Sequence, residues 1–412
     1  MIPAKREKLF VAPGAPFDIS GCHNFGAPLD KLEQLGTNPK CATNEAGEAG
    51  TRSEPLGALR KRARAKYYSG HLAINLAQLN SPLKRSYLVT HFRCAATLEQ
   101  KDTKITALYC GHRWCVVCNR IRTAQLLNGY AAPLAALSEK YFVTLTLPNV
   151  PGAELRATLC QMTKTMQAIQ DKFKKRHRRG LQPWQLVGLR KLECTYNAKA
   201  GNYHPHLHFV ISGAEAAKAL IAEWLERTPT ATDKAQDMRE AKDGTANELF
   251  KYFAKLVTKQ DGKNVTLTEP LDTIFQAMRG LRVFQPIGIK KDVPEEIENL
   301  QSVEVEGITP APEHRYFEWV KGGSDWVNSE TGEAVTGYLP SRQMDELIEN
   351  IQSINGDKTA IKPAPWTGAL PAPSHPAPWT GALPAPSHPA PWTGALPASV
   401  VIDRNLDRWI EG

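Results

Sequence analysis

The chain has 412 residues, 42% of them hydrophobic and 23% charged, which is typical of a water-soluble globular protein. Its formal net charge of +9 favours an anionic partner, nucleic acid more often than a membrane. No apolar stretch approaches the ~20 residues of a membrane span, and the start MIPAKREKLF lacks the apolar core of a secretion signal. We therefore expect a cytoplasmic protein with no membrane partner.

Changes in composition along the chain predict six segments. Near its end, the motif PAPWTGALPAPSH recurs with Trp366, Trp379 and Trp392 spaced 13 apart, which indicates an extended, proline-rich spacer. The predicted segments are a poorly ordered N-terminal segment (1–55), a basic helix with a cysteine-rich zinc-binding segment (56–135), an α+β domain (136–295), an acid-rich segment (296–358), the Pro/Trp tandem-repeat linker (359–398) and a tail (399–412).

Four cysteines and a histidine cluster around residue 110. The run CGHRWCVVC contains Cys110, Cys115 and Cys118 with His112 between them, and Cys94 lies upstream. Structural zinc takes four Cys or His ligands, and in a reducing compartment clustered cysteines more often bind metal than form disulfides. We predict a zinc site of Cys94, Cys110, Cys115 and Cys118, with His112 as the substitute for Cys94. Free buried cysteines are the alternative. The remaining cysteines are expected to pack or stay free: Cys22, Cys41, Cys160 and Cys194.

Strand and helix patterns alternate through residues 136–295. They predict a mostly antiparallel sheet with helices packed on it, an α+β fold. The predicted elements are a strand (Tyr141–Asn149), an apolar helix stripe from Leu155 to Phe173 ended by Gly180, a hairpin (Trp184–Asn197 and Tyr203–Ser212), the helices AEAAKALIAEWLER and TANELFKYFAKLVTK, and a closing strand (Leu281–Lys291).

The second hairpin strand contains His204, His206 and His208 on alternate positions, so their side chains share one face. A hairpin that turns at residues 199–200 places Glu193 opposite His206. One carboxylate and two imidazoles suit a divalent ion that keeps open positions for water or phosphate oxygen. We predict His206, His208 and Glu193 as metal ligands, although a register slip of one residue would remove Glu193. A satisfied core histidine is the alternative.

The second of the two helices places Glu248, Tyr252, Lys255 and Lys259 on one face. A phenol between a carboxylate and two lysines is a candidate reactive group. Glu248 also has a structural interpretation, because Thr245-x-x-Glu248 fits a capping box.

Several basic residues are candidates for contacts with a DNA backbone, although a solvated face explains such runs equally well. They are the stretch from Arg60 to Lys66, Arg120 and Arg122 after the cysteines, and Lys172, Lys174, Lys175, Arg176, Arg178 and Arg179.

Together these motifs resemble a known family. His206-Leu207-His208 followed by an apolar run is similar to the His-hydrophobe-His motif of the HUH endonucleases, and YFVTLTLPN resembles their first motif strand. Glu248-x-x-Lys251-Tyr252 resembles the third motif of the single-tyrosine rolling-circle plasmid replication initiators (Rep). The resemblance covers roughly residues 90–292. It implies an HUH nuclease fold for residues 136–295, with the site between a central antiparallel sheet and a helix.

The resemblance also implies a mechanism. Mg²⁺ or Mn²⁺ on His206 and His208 polarises the scissile phosphate of the double-strand origin, and Tyr252 attacks it. The products are a 5′-phosphotyrosyl enzyme and a free 3′-OH that primes synthesis. Lys255 lowers the pKa of the tyrosine or neutralises phosphate, and His204 orients the ligands or serves as a spare one. Glu248 stands where other groups have a second tyrosine and ends the cycle. The implied partners are origin DNA, single-stranded DNA, a host helicase and a single-strand-binding protein.

Two other functions fit part of the sequence. An HUH transposase or relaxase-like nickase would use the same motif, but relaxases usually have an N-terminal tyrosine and such transposases lack the zinc cluster. A non-enzymatic, zinc-bearing DNA-binding regulator explains the cysteines and the charge, and leaves the histidine strand and Tyr252 without a role.

Overall fold

The computed structural model describes residues 56–242, 249–250, 252–291, 302–304, 311–320 and 322–354. Predictions for the N-terminal segment, the Pro/Trp repeats and the tail lie outside these residues, as do those for Cys22, Cys41, Glu248 and Lys251.

The described residues form helices and mainly antiparallel strands, so the predicted α+β class is confirmed. The helices are α1 (Gly57–Leu76), α2 (Lys84–Arg93), α3 (Val116–Ala135), α4 (Gly152–Arg178), α5 (Ala214–Arg227), α6 (Thr268–Met278) and α7 (Arg342–Glu349). The strands are β1 (Thr97–Asp102), β2 (Lys104–Ala107), β3 (Lys140–Thr146), β4 (Gly188–Asn197), β5 (Asn202–Ser212), β6 (Asp237–Glu240), β7 (Thr258–Gln260), β8 (Lys263–Leu267), β9 (Phe284–Ile287), β10 (Ser302–Glu304), β11 (Ala311–Trp319), β12 (Trp326–Asn328) and β13 (Ile351–Gln352).

The central sheet has the strand order β6-β3-β5-β4-β9, and all its pairings are antiparallel. The predicted hairpin of β4 and β5 forms, and Asn197 pairs with Asn202 next to the turn. Strand β4 begins at Gly188 and not at Trp184. The closing strand β9 covers only Phe284–Ile287, so it pairs with β4 as far as Lys191 and leaves the rest of that edge to other partners.

Helix α4 packs on one face of this sheet. Its predicted stripe is buried, from Leu155 at the N-terminal end to Phe173 near the C-terminal end, against Leu207, Phe209 and other residues of that face. The helix ends at Arg178, and Gly180 then adopts a φ of +69°, a conformation that favours glycine. Because α4 covers this face, the histidine face of β5 lies on the opposite side of the sheet.

Helix α3 packs across part of that opposite face. Its Tyr130 and Leu134 contact Phe142, Leu189 and Val210 of the central sheet. Each of these three sheet residues lies two positions along its strand from a residue of the histidine face (Thr144, Lys191 or His208), so α3 lies over the same side of the sheet. The helix thus connects the cysteine-rich segment to the face that carries the candidate site.

A second sheet, in the order β10-β2-β1-β11-β12, joins two distant parts of the chain. Strand β1 pairs antiparallel with β11, so residues 97–102 and 311–319 lie side by side. Trp326 of β12 is fully buried, and its indole Nε1 donates a hydrogen bond of 2.8 Å to the carbonyl oxygen of Ala95. Residues on both sides of the segment boundary predicted at 295/296 therefore share one sheet.

The helix predicted over TANELFKYFAKLVTK does not extend through this stretch. From Tyr252 to Val257 the chain is not helical, and Thr258–Gln260 form strand β7. The cause is the open edge of β4 beyond β9. The backbone N–H of Cys194 donates to the carbonyl oxygen of Phe253 at 3.3 Å, and Ala254 forms a parallel bridge with Cys194. Since buried backbone groups need hydrogen-bond partners, pairing with the sheet prevails over the helical spacing of apolar residues.

Among the residues described, no helix has both the length and the apolar character needed to cross a membrane.

Candidate functional site

The histidine strand presents its rings as predicted, on the side of the sheet away from α4. The ring centroids of His204 and His206 lie 4.9 Å apart, and those of His206 and His208 lie 4.7 Å apart. Nδ1 of His206 donates to the carbonyl oxygen of His204 at 3.0 Å, and Nδ1 of His208 is hydrogen-bonded to Oγ1 of Thr144 at 3.1 Å. These contacts engage Nδ1 and direct Nε2 of both rings toward Glu193, the arrangement in which a second hydrogen bond orients a metal-binding imidazole.

Glu193 lies directly opposite His206 in the β4–β5 pairing, so the predicted register is confirmed. Its Oε2 lies 3.6 Å from Nε2 of His206, and its Oε1 lies 3.8 Å from Nε2 of His208. With metal–ligand distances of about 2.1 Å, ligand atoms on adjacent and opposite octahedral positions lie about 3.0 and 4.2 Å apart. One donor atom from each of these three residues lies within 4.8 Å of the other two, so together they can hold one divalent ion.

Lys191 is a part of the site that the sequence analysis missed. Its ammonium is buried and lies 2.5 Å from Oε1 of Glu193. Burial alone would raise the pKa of the Glu193 carboxyl, but Lys191 and the two imidazoles outweigh it and hold that pKa well below its usual range. The carboxylate is therefore charged and ready to bind a cation. The signal was in the sequence, because Lys191 precedes Glu193 by two positions and so shares its face.

Burial also keeps two of the imidazoles neutral. It lowers the pKa of His208 to about 3, although the Glu193 carboxylate opposes this shift. Burial, together with the neighbouring His206, lowers the pKa of His204 to about 4. Neutral imidazole is the form that binds metal. His204 stacks on His206 and accepts its Nδ1 proton through the backbone, so it orients a ligand and is not itself one of the three clustered residues.

The hydroxyl of Tyr252 is hydrogen-bonded to a group outside the cluster of Glu193, His206 and His208. The hydroxyl donates a hydrogen bond to the carbonyl oxygen of Trp114, inside the cysteine-rich segment. The ring stacks on Phe253 with centroids 4.8 Å apart. Burial raises the pKa of the Tyr252 phenol well above its usual value. The expected position of Tyr252 on one helix face with Lys255 is wrong, because both residues lie in a non-helical stretch, where Lys255 is exposed.

The backbone next to Tyr252 nevertheless runs beside the candidate site. The carbonyl of Phe253 accepts from the N–H of Cys194, which directly follows Glu193. The chain at Tyr252 is thus fixed at two points. The edge of β4 pairs with the backbone of Phe253 and Ala254, and the carbonyl of Trp114 accepts a hydrogen bond from the Tyr252 hydroxyl.

The four predicted cysteines come together. Sγ of Cys94 lies 3.6 Å from Sγ of both Cys115 and Cys118, and Sγ of Cys110 lies 3.5 Å from that of Cys118. Sulfur atoms bound tetrahedrally to zinc at about 2.3 Å lie about 3.8 Å apart, so the cluster fits one zinc ion. Local structure explains the convergence, because Cys94 ends helix α2, Cys110 follows β2 and Cys115 precedes helix α3.

Polar neighbours surround the cysteine cluster. Oγ1 of Thr90 lies 3.2 Å from Sγ of Cys110, and Nζ of buried Lys66 donates to the carbonyl oxygen of Cys94 at 2.7 Å. A cation beside four thiolates offsets their negative charge. The substitution of His112 for Cys94 does not occur, because His112 instead contacts Oγ1 of Thr90 and stacks on Trp114.

The candidate DNA-contacting residues divide into two groups. Lys172 forms ion pairs with Glu223 and Glu226 of α5, and Arg122 donates to the carbonyl oxygen of Gly111 at 3.0 Å. Both Arg120 and Arg122 are half-buried, and their contact with DNA stays a prediction. The exposed group lies at the C-terminal end of α4: Lys174, Lys175, Arg176, Arg178 and Arg179.

Comparisons with known proteins identify relatives. A family model described as replication protein matches residues 102–215. Protein rep of Streptococcus pneumoniae serotype 2 is 33% identical over 118 residues, which cover 26% of this chain and 33% of that protein. Protein rep of Staphylococcus aureus is 30% identical over 178 residues, which cover 39% of this chain and 74% of that protein. The chain belongs to the Rep family of rolling-circle plasmid replication proteins.

The Rep family match includes Glu193, His206 and His208 and three of the four clustered cysteines, whereas Tyr252 lies beyond it. The chain spans about three quarters of the staphylococcal Rep and a third of the pneumococcal one. No solved structure matches the chain significantly.

The cysteine cluster leads to a first testable prediction. Protein purified without chelator is expected to contain about one zinc per chain, and Cys115→Ser should lose it together with much of its resistance to unfolding, because structural zinc contributes folding free energy. Elemental analysis and thermal unfolding measure both effects. Cys160→Ser, a half-buried cysteine outside the cluster, is the matched control and should keep its zinc. Wild-type protein free of zinc would refute the assignment.

Proposed function

We propose that this Rep protein initiates plasmid rolling-circle replication by nicking one strand of the double-strand origin. The proposal rests mainly on one observation, the convergence of Glu193, His206 and His208 within 4.8 Å on one sheet face. The HUH motif order and the family membership support it. In this proposal residues 136–295 form an HUH nuclease domain, and the clustered cysteines hold a structural zinc beside it.

The chain's own residues would prepare a divalent cation site for the scissile phosphate. Glu193, His206 and His208 would bind the ion, Lys191 would hold Oε1 of Glu193, and Thr144 would hold the ring of His208. A divalent ion bound there would withdraw charge from a phosphate oxygen and so lower the barrier to attack at phosphorus. Mg²⁺ or Mn²⁺ would serve, and the two nitrogen ligands favour Mn²⁺.

Tyr252 is the proposed nucleophile, as in the single-tyrosine Rep group. Its oxygen would lose a proton to solvent and form a bond to phosphorus, the bond from phosphorus to the 3′-oxygen would break, and that oxygen would take up a proton from solvent. The products would be a 5′-phosphotyrosyl enzyme and a 3′-OH primer. Because the hydroxyl now donates to Trp114, this hydrogen bond has to break before attack. Lys255, exposed nearby in sequence, would neutralise phosphate.

We propose that Glu248 ends the cycle. A carboxylate four positions before Tyr252 can act as a general base for water, which cleaves the regenerated phosphoester without leaving a covalent enzyme. We expect Glu248→Gln to nick the origin normally and to fail in termination, giving multimeric displaced strands on gels. Glu248→Gln keeps a capping acceptor, so a cap role predicts normal termination for this variant and about 1 kcal/mol lower stability for Glu248→Ala. Normal termination by Glu248→Gln would contradict the proposal.

The alternative functions predict different reaction products. A transposase or relaxase-like nickase would cleave single strands without supporting synthesis from the 3′-OH, and a DNA-binding regulator would bind without cleaving. The deciding experiment incubates the protein with Mn²⁺ and a supercoiled plasmid that carries its cognate origin. A nicked circle that a polymerase extends from the nick supports an initiator working with a host helicase and single-strand-binding protein. An intact supercoil with bound protein would overturn the proposal.

A further inference from the structure

Three arginines from separate parts of the chain meet where the cysteine-rich segment contacts the central sheet. Arg113 lies in the cysteine loop and donates to the carbonyl oxygen of Leu281, next to Arg282 in sequence. Arg122, on helix α3, donates through Nη2 to the carbonyl oxygen of Gly111 in the same loop. Arg282 is exposed, and its backbone carbonyl accepts from buried Arg190 at 3.3 Å. Arg113 and Arg122 are thus hydrogen-bonded at this junction through their side chains, and Arg282 through its backbone carbonyl.

The charges at this junction are of one sign. Among the described residues, no ion pair joins Arg113, Arg122 or Arg282 to a carboxylate. The neighbouring guanidiniums of Arg122 and Arg282 add to the effect of burial in lowering the pKa of Arg113 to about 10. Like charges held together raise the free energy of the folded state, and a bound anion would relieve that cost.

A donor at this junction is also unused. Nη1 of Arg122 is buried and has no hydrogen-bond partner among the described residues. A buried donor without a partner costs about 1–3 kcal/mol, so it usually marks a strained or a functional position. Guanidinium groups match the oxygens of phosphate in geometry as well as charge.

The junction lies close to the proposed nucleophile. The hydroxyl of Tyr252 donates to the carbonyl oxygen of Trp114, the residue directly after Arg113. Helix α3, which carries Arg122, also packs over the sheet face that carries Glu193 and the histidines. Helix α3 and the contact of Tyr252 with Trp114 thus connect the arginines to the proposed cleavage site.

We propose that Arg113, Arg122 and Arg282 form a binding site for a phosphodiester group of the single-stranded DNA that flanks the cleavage point. The proposal deepens the function proposed above and rests on it for the identity of the strand. Arg282, exposed at the rim, would make the first contact, and the half-buried Arg113 and Arg122 would complete it. The buried Arg190 positions Arg282 through its backbone and does not itself contact the anion.

Binding to a labelled oligonucleotide tests this site without any cleavage. The full-length, zinc-containing protein is titrated with fluorescein-labelled oligo(dT), without added Mg²⁺ or Mn²⁺, at several KCl concentrations. We expect Arg282→Gln to weaken binding about tenfold and to reduce the slope of log Kd against log salt by about 0.7, the value for one lost contact to single-stranded DNA. Arg282→Lys, which keeps the charge, should restore most of the slope. Arg342→Gln, an exposed arginine on α7, is the matched control and should behave as wild type.

The salt slope separates a direct phosphate contact from a structural role. Weaker binding with an unchanged slope, or unchanged binding, would overturn the proposal, and Arg282 is exposed so that its variants should fold. The outcome is independent of cleavage. If the wild-type protein nicks and Arg282→Gln binds DNA normally, only the proposed arginine site is rejected. If the wild-type protein does not nick, but Arg282→Gln binds DNA more weakly and with a smaller salt slope, only the nickase function is rejected.

Discussion

Replacing Tyr252 with phenylalanine is expected to abolish both origin nicking and the covalent protein–DNA adduct. The change removes the oxygen proposed to form the phosphoester bond, so activity should fall by about four orders of magnitude or more, as happens when other enzymes lose a nucleophile. The variant should also lose about 1 kcal/mol of stability, because the carbonyl of Trp114 loses its hydrogen bond from the phenol. Gel assays of nicking and denaturant unfolding measure the two effects separately.

The control for this variant is Tyr316→Phe, which changes an exposed tyrosine on β11 in the same way. It should nick at the wild-type rate. Nicking by Tyr252→Phe at a rate comparable to wild type would show that another nucleophile acts. A loss of nicking together with gross unfolding would be inconsistent with the small stability cost expected from one hydrogen bond.

Removing either histidine of the candidate metal site is expected to have a comparable effect. His206→Ala and His208→Ala each delete one of three clustered donors, so nicking should be lost, whereas DNA binding should survive because phosphate-backbone contacts lie elsewhere. In wild type, nicking should require added Mg²⁺ or Mn²⁺. His314→Ala, at an exposed histidine on β11, is the matched control. If the His206→Ala, His208→Ala double variant nicked at the wild-type rate, this part of the site would have no role in cleavage.

Local alternation and spacing were sufficient to predict much of the candidate site. A period of two placed the imidazoles on one face, and the short hairpin fixed the register that brings Glu193 opposite His206. Cysteine spacing similarly identified the four residues that converge. In each case the contacts form between residues close in sequence, so the local pattern is enough to predict them.

The features that were missed depend on contacts between distant segments. The stretch after Phe250 has the apolar spacing of a helix, but the edge of β4 beyond β9 offers backbone partners that the spacing cannot reveal. The pairing of β1 with β11 joins residues about 200 positions apart, and no local pattern indicates it. Lys191 is different, because the alternation of the strand predicts that it shares a face with Glu193. A charged residue on a buried strand was the signal that the sequence analysis did not use.

The function proposed for this chain is DNA cleavage through Tyr252 at a site prepared by Glu193, His206 and His208. Its most direct test is mass spectrometry of the covalent adduct, formed with Mn²⁺ on a single-stranded oligonucleotide containing the cognate nick sequence and then digested to peptides. We expect one nucleotide-bearing peptide, with the 5′-phosphate on Tyr252. An adduct on Tyr196 or Tyr203, or complete cleavage with no adduct at all, would contradict it.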